Sequence, residues 1–122
     1  MSSETQNAIE KLKKGLIRLS FSDTRSLYQA YMPYLHGCGI FYATDDIYPM
    51  GTDVFVFLEL PEDMGKHAVA GRVVWVNPPK SQMKRVPGVG IQLRGKNVEK
   101  IKEVIEAKLG SQIKAGLPTA TL

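Results

Sequence analysis

The sequence predicts a mainly β fold: a small antiparallel barrel of five or six strands, capped by one C-terminal α-helix. Three observations predict it. Short runs rich in Val, Ile and Phe recur with turn residues about every ten positions, the rhythm of a small barrel or sandwich. The period changes once, where Ile101, Val104, Ile105 and Leu109 fall at i, i+3, i+4 and i+8 on one helix face. The chain has 122 residues, 43% hydrophobic and 23% charged, which suits one soluble domain with a core of its own.

Residues 1–14 are polar and read as an N-terminal tail or short helix, with Ile9 and Leu12 three apart and Gly15 ending the turn. Leu16 to Phe21 reads as the first strand. Arg25 to Pro33 places Leu27, Tyr28 and Tyr31 at one-face helical spacing, but Pro33 stops a helix early, so a turn or irregular crossing is expected. Gly37 to Thr44 reads as a second strand whose glycines suggest a bulge or a close backbone approach. Asp45 to Thr52 is a loop. Asp53 to Leu60 is the strongest strand, apolar on both faces, so each face needs a cover. His67 to Val76 is a long strand, and Asn77 to Gly88 a loop carrying Lys80, Lys84 and Arg85. Val89 to Arg94 is the last strand. The helix then runs from an Asn97 cap to Gly110, with Glu99 in its first turn and Lys108 in its last. This divides the chain into a tail (1–14), a barrel plus helix (15–110) and a flexible C-terminal tail (111–122).

The longest uninterrupted apolar run is Val54 to Leu58, far short of the roughly 20 residues that cross a bilayer, so no membrane insertion is expected. The N-terminus carries no secretory pattern, and one cysteine makes no internal disulfide. A cytoplasmic protein is expected. Net charge is +4 and unevenly spread. Residues 26–65 hold six acids and no Lys or Arg, whereas residues 66–122 hold eleven basic groups and three acids. Such a dipole suits docking on a patchy protein surface. Nucleic acid calls for an unbroken basic face with interleaved aromatics.

Little in the sequence points to chemistry. His36, Cys38 and His67 are the only soft ligands and lack the paired spacings of a zinc site, so no metal is expected. No base and acid mark a nucleophile, so the chain reads as a non-enzyme. Gly90 to Lys96 fits the spacing of a phosphate-binding loop, but Asn97 replaces the magnesium-binding Ser or Thr. The residues between its glycines alternate like a strand. No cofactor is implied. Three tyrosines within residues 28–34, beside Met32 and Pro33, are residue types enriched at interface cores.

Val69-Ala70-Gly71-Arg72-Val73-Val74-Trp75 and Gly88-Val89-Gly90-Ile91-Gln92-Leu93 resemble the paired strands of PilZ domains. Gly39-Ile40-Phe41 resembles the strand after their diguanylate motif, and Gly51 to Phe55 the next strand. Leu27 to Tyr34 is similar to a segment of the branch that works in type IV pilus biogenesis and twitching motility, as is the ending Pro118 to Leu122. There Ala120 and Leu122 stand where His and Met are common. The resemblance implies a six-stranded antiparallel barrel. It also implies cyclic di-GMP binding through an R-x-x-x-R pair and a D/N-x-S-x-x-G motif. Here Tyr34 stands where Asp or Asn belongs and His36 where Ser belongs. Of that motif only Gly39 remains, and no R-x-x-x-R pair precedes it. A charged hydrogen bond is worth about 1.5–3 kcal/mol, so losing three removes about as much as the roughly 8 kcal/mol of a micromolar complex.

The resemblance therefore implies an adaptor that binds two proteins, the pilus extension ATPase and an EAL-domain cyclic di-GMP regulator, with Tyr28, Tyr31, Met32, Pro33 and Trp75 as partner-binding residues. The alternative is a direct cyclic-dinucleotide sensor using Lys80, Lys84, Arg85 or Arg94. A barrel that binds single-stranded nucleic acid through the same basic loop is a weaker third.

Overall fold

A computed structural model describes residues 15–32, 35, 37–79 and 86–115. Five strands form one sheet: β1 (Leu16–Ser20), β2 (Gly39–Ala43), β3 (Asp53–Glu59), β4 (Lys66–Asn77) and β5 (Gly88–Arg94). Two helices accompany it, α1 (Thr24–Ala30) and α2 (Val98–Ala115). The strand order is β1-β3-β4-β5-β2.

The mainly β class, the five strand positions and the C-terminal helix agree with expectation. Two features of the expected six-stranded antiparallel barrel do not. The described sheet has five strands, and β1 pairs with β3 in parallel, Leu16 opposite Phe55 and Ser20 opposite Glu59. After β1 the chain crosses through α1 to the far edge, lays down β2, and returns beside β1 in the same direction, a connection that parallel pairing requires. Beyond β2, only the isolated bridge Tyr31↔Ile40 extends the sheet among the described residues. The other pairs, β3·β4, β4·β5 and β2·β5, are antiparallel, and β4 is interrupted by a bulge between Val73 and Trp75.

The stretch expected as an irregular crossing contains a true helix. The Asp23 carboxylate accepts from the Ser26 N–H at 2.8 Å and caps α1. That hydrogen bond holds the carboxyl below its ordinary pKa. Pro33 follows too late to prevent two turns. The second correction is at α2, which passes Gly110 and continues to Ala115, so residues 111–115 are helix rather than tail. The two remaining tail segments, 1–14 and 116–122, lie outside the described residues.

One face of the sheet makes the core. Ile17, Val56, Leu58, Val73 and Ile91 are buried there. Leu27 of α1 and Ile101, Ile105 and Leu109 of α2 are fully buried with them. The spacing read from the sequence thus puts the predicted stripe of α2 against the sheet.

Candidate functional site

The tyrosine segment folds inward. Tyr31 and Met32 are 1% and 0% exposed and Tyr28 is buried, so Tyr31 and Met32 have no surface to offer in this conformation. Helix α1 lays Leu27, Tyr28 and Ala30 on the core, and the extended backbone at Tyr31 carries the chain onto the edge of β2. There Met32 N–H donates to Gly39 O at 2.8 Å. The Tyr31 hydroxyl donates to Glu106 Oε1 at 2.9 Å, tying this edge to α2. Burial first, then the nearby Cys38 and Glu106, pushes the Tyr31 pKa upward. Pro33 lies outside the described residues.

Trp75 is half-buried, and its indole N–H donates to Asn77 Oδ1 at 2.9 Å. Asn77 is itself buried and donates to Val86 O, fixing the end of the basic loop. A Cβ at Gly90 would lie 2.7 Å from Trp75 Cβ and 2.8 Å from Met32 Sδ. Glycine at this position lets Met32 and Trp75 meet over β5. The structure therefore joins these two predicted residues, while Tyr28 and Tyr31 serve α1 and its contact with α2.

At the position of the diguanylate motif, Tyr34 and His36 lie outside the described residues. Gly39 is close-packed: a Cβ there would clash with the Leu35 side chain. Cys38 is fully buried, and burial, then the Glu106 carboxylate, pushes its thiol up to about 12. It stays protonated at neutral pH, so it is a poor nucleophile and metal ligand. Among the described residues no three His, Cys, Asp or Glu side chains group to hold a metal. Beside Gly37 lies an open cleft of about 380 Å³, lined by Gln92, Leu93, Arg94, Gly95, Val98 and Glu99. Arg94 spends a donor on Gln92 Oε1 at 3.0 Å. The run resembling a phosphate loop is β5 itself followed by a turn at Gly95. Lys80, Lys84 and Arg85 lie outside the described residues.

The opposite face of the sheet is more informative. Along β3, Val54, Val56 and Leu58 are buried, while Phe55 and Phe57 stay 40% and 41% exposed. Their rings meet edge to face, with centroids 5.5 Å apart. Register places Leu16, 50% exposed, and Ala70 on either side of Phe55, and Arg18 and Ala68 on either side of Phe57. The small alanines leave a groove of about 240 Å³ along Phe57, bounded by Arg18, Glu59, Lys66 and His67. Sequence reasoning saw that both faces of this strand are apolar and need a cover. Among the described residues only the inner face has one. A contiguous exposed apolar patch marks an interaction surface more often than chance exposure does.

No helix among the described residues is long and apolar enough to cross a membrane. The family model described as the PilZ domain matches residues 14–109 of the chain. No curated protein matches it.

Proposed function

The chain belongs to the PilZ domain family, and from that premise we propose that it is a non-enzymatic cytoplasmic adaptor in type IV pilus assembly and twitching motility. It binds the pilus extension ATPase and an EAL-domain cyclic di-GMP regulator without itself binding cyclic di-GMP. PilZ domains as a family are binding modules for cyclic di-GMP signalling rather than enzymes.

One observation carries the reading: the residues that would grip the nucleotide are replaced in the sequence, while the PilZ family match still spans residues 14–109. Tyr34 and His36 occupy motif positions that need an Asx and a Ser, and no R-x-x-x-R pair is present. Arginine forks hold phosphates bidentately, and lysines elsewhere are no substitute. The segment Tyr28 to Pro33 is proposed as the ATPase contact. Tyr28, Tyr31 and Met32 act there from beneath, setting the course of the chain that the partner touches, and Trp75 borders it across Gly90. The apolar outer face around Phe55 and Phe57 offers a second surface for a protein partner.

The competing reading is a direct cyclic-dinucleotide sensor. The cleft beside Gly37, with Arg94 at its edge, favours it. An affinity capture from cytoplasmic extract, with and without cyclic di-GMP and paired with calorimetric titration of the purified chain, separates the two. Recovery of an extension ATPase and an EAL protein, with no heat at high micromolar ligand, supports the adaptor. Direct heat with neither protein recovered supports the sensor.

A further inference from the structure

We infer that the groove along Phe57 takes the β2–β3 loop of a second copy of this chain, with Ile47 seated on Phe57 and Asp45 and Asp46 set against Arg18 and Lys66. The contact is head to tail, the loop of one copy on the sheet of the next. The inference goes beyond the adaptor reading and does not depend on it.

Strand register builds the groove. Arg18 of β1, Phe57 of β3 and Ala68 of β4 lie in one row across the outer face, and Lys66 stands two residues from Ala68, opposite Glu59. The small alanine leaves the hollow of about 240 Å³ beside the phenylalanine ring. Among the described residues neither Arg18 nor Lys66 makes an ion pair, whereas Arg72 at the far end of the face is held by Asp53. Glu59 is the one carboxylate lining the hollow among the described residues, and His67 Nε2 is taken up by Met64 O at 2.9 Å. Two cations against one carboxylate, over an apolar floor, favour an occupant that is both acidic and apolar.

The loop from Asp45 to Thr52 has that character. Ile47 is 76% exposed, the most exposed large hydrophobic side chain among the described residues, and Met50 is 64% exposed. Asp45 and Asp46 precede Ile47, are exposed, and make no ion pair among the described residues. The loop is anchored. Tyr48 is buried and meets Tyr42 edge to face, with centroids 6.2 Å apart. Gly51 N–H donates to Val73 O at 2.8 Å, and the Thr52 hydroxyl donates to Pro49 O at 2.6 Å. A loop ordered in advance gives up little conformational entropy on docking.

Position makes the occupant a second copy. Tyr48 fixes the loop on β2 at one edge of the sheet, while Arg18 stands on β1 at the other edge. Phe57 lies five residues along β3 from Thr52, about 17 Å of extended chain. Loop and groove of one molecule therefore face different neighbours. Such a heterologous contact repeats from copy to copy instead of stopping at two. A loop on a groove falls below the roughly 1,200 Å² of a standard interface, so the association depends on concentration.

The test is sedimentation velocity of the full chain from about 10 μM to about 1 mM, where contacts of this size form. The weight-average sedimentation coefficient of the wild type should rise with concentration. Asp45→Lys plus Asp46→Lys, and Arg18→Glu plus Lys66→Glu, should each stay at the monomer value. An equimolar mixture of the two should rise again, because the lysine loop then meets the glutamate groove. A second measurement needs no variant and decides even where one fails to fold. In a mixture of wild-type chains with and without isotope-labelled Ile methyls, Ile47 should show intermolecular NOEs to the Phe57 ring. A wild type that stays monomeric, absence of these NOEs, or no rise in a mixture of two folded variants overturns the inference. Undiminished self-association of the loop variant also overturns it, and puts the sheet face of the second copy in the groove instead.

Discussion

The two faces of β3 differ by one step along the chain and by nearly everything else. Val54, Val56 and Leu58 are sealed between the sheet and α2, whereas Phe55 and Phe57 stand 40% and 41% exposed on the other side. Both faces carry large apolar side chains, although Asp53 and Glu59 share the outer one with the two phenylalanines. The inner face has partners supplied by the fold: α2 brings Ile101, Ile105 and Leu109, and α1 brings Leu27. Among the described residues, the outer face has only the flat neighbours of its own sheet. One face is therefore a stability device and the other an apolar surface left open among the described residues, and substitutions should separate them.

The largest effect belongs to the inner face. Leu58→Ala and Ile105→Ala each leave a cavity among fully buried side chains and should lose about 2–5 kcal/mol in urea denaturation. That is a large part of the 5–15 kcal/mol that holds an ordinary domain folded. Losses under about 1 kcal/mol would mean that α2 does not seal the sheet.

The next effect is alkaline. Cys38 is harder to ionise folded than unfolded, its pKa raised from an ordinary 9 to about 12. It therefore stabilises the fold fully below about pH 9, and that contribution is lost as pH rises toward about 12. At roughly 1.4 kcal/mol per pH unit, about 2 kcal/mol disappears by about pH 10.5. The raised Tyr31 hydroxyl acts in the same direction from its own ordinary value of 10 upward. Urea midpoints at several alkaline pH values should fall steeply for the wild type and less so for Cys38→Ala. Equal slopes would remove the thiol from the account.

Tyr31→Phe keeps the ring and deletes the hydrogen bond to Glu106. It should lose about 0.5–1.5 kcal/mol, and ATPase capture should weaken if the segment acts from beneath. Tyr28→Ala is a poorer probe of that contact, because Tyr28 is buried and its truncation disturbs folding as well.

Phe57→Thr keeps a strand-forming residue on the outer face. It should lose about 1 kcal/mol or less in the same denaturation assay, far less than Leu58→Ala one position along. An equal loss at both positions would erase the distinction between the faces. The smallest effect is expected at the rim. The exposed Arg72–Asp53 pair, 2.9 Å apart, should contribute about 0.2–1 kcal/mol. In Arg72→Ala that loss should fade in high salt.

The sequence by itself determined the PilZ family, the mainly β class, the strand positions to within a few residues and the apolar stripe of α2. These are local quantities: alternation, helical spacing and turn residues act over a few positions. It also shows Tyr34 and His36 at the positions compared with the ligand motif, because motif residues are read one by one. Helix α1 is legible too, from Asp23 as a cap ahead of Leu27 and Tyr28, with Pro33 falling beyond its last turn. Helix α2 runs past Gly110 because a single glycine costs only about 1 kcal/mol in a helix and does not stop one.

Tertiary structure alone decided the parallel pairing of β1 with β3, since no local pattern records which strand returns beside which. It alone decided that Tyr31 and Met32 face inward, because Gly90 leaves room for Met32 and Glu106 of a distant helix receives the Tyr31 hydroxyl. It also chose which apolar side of β3 became core. Alternation specifies two faces, but only a helix arriving from elsewhere in the chain can cover one of them.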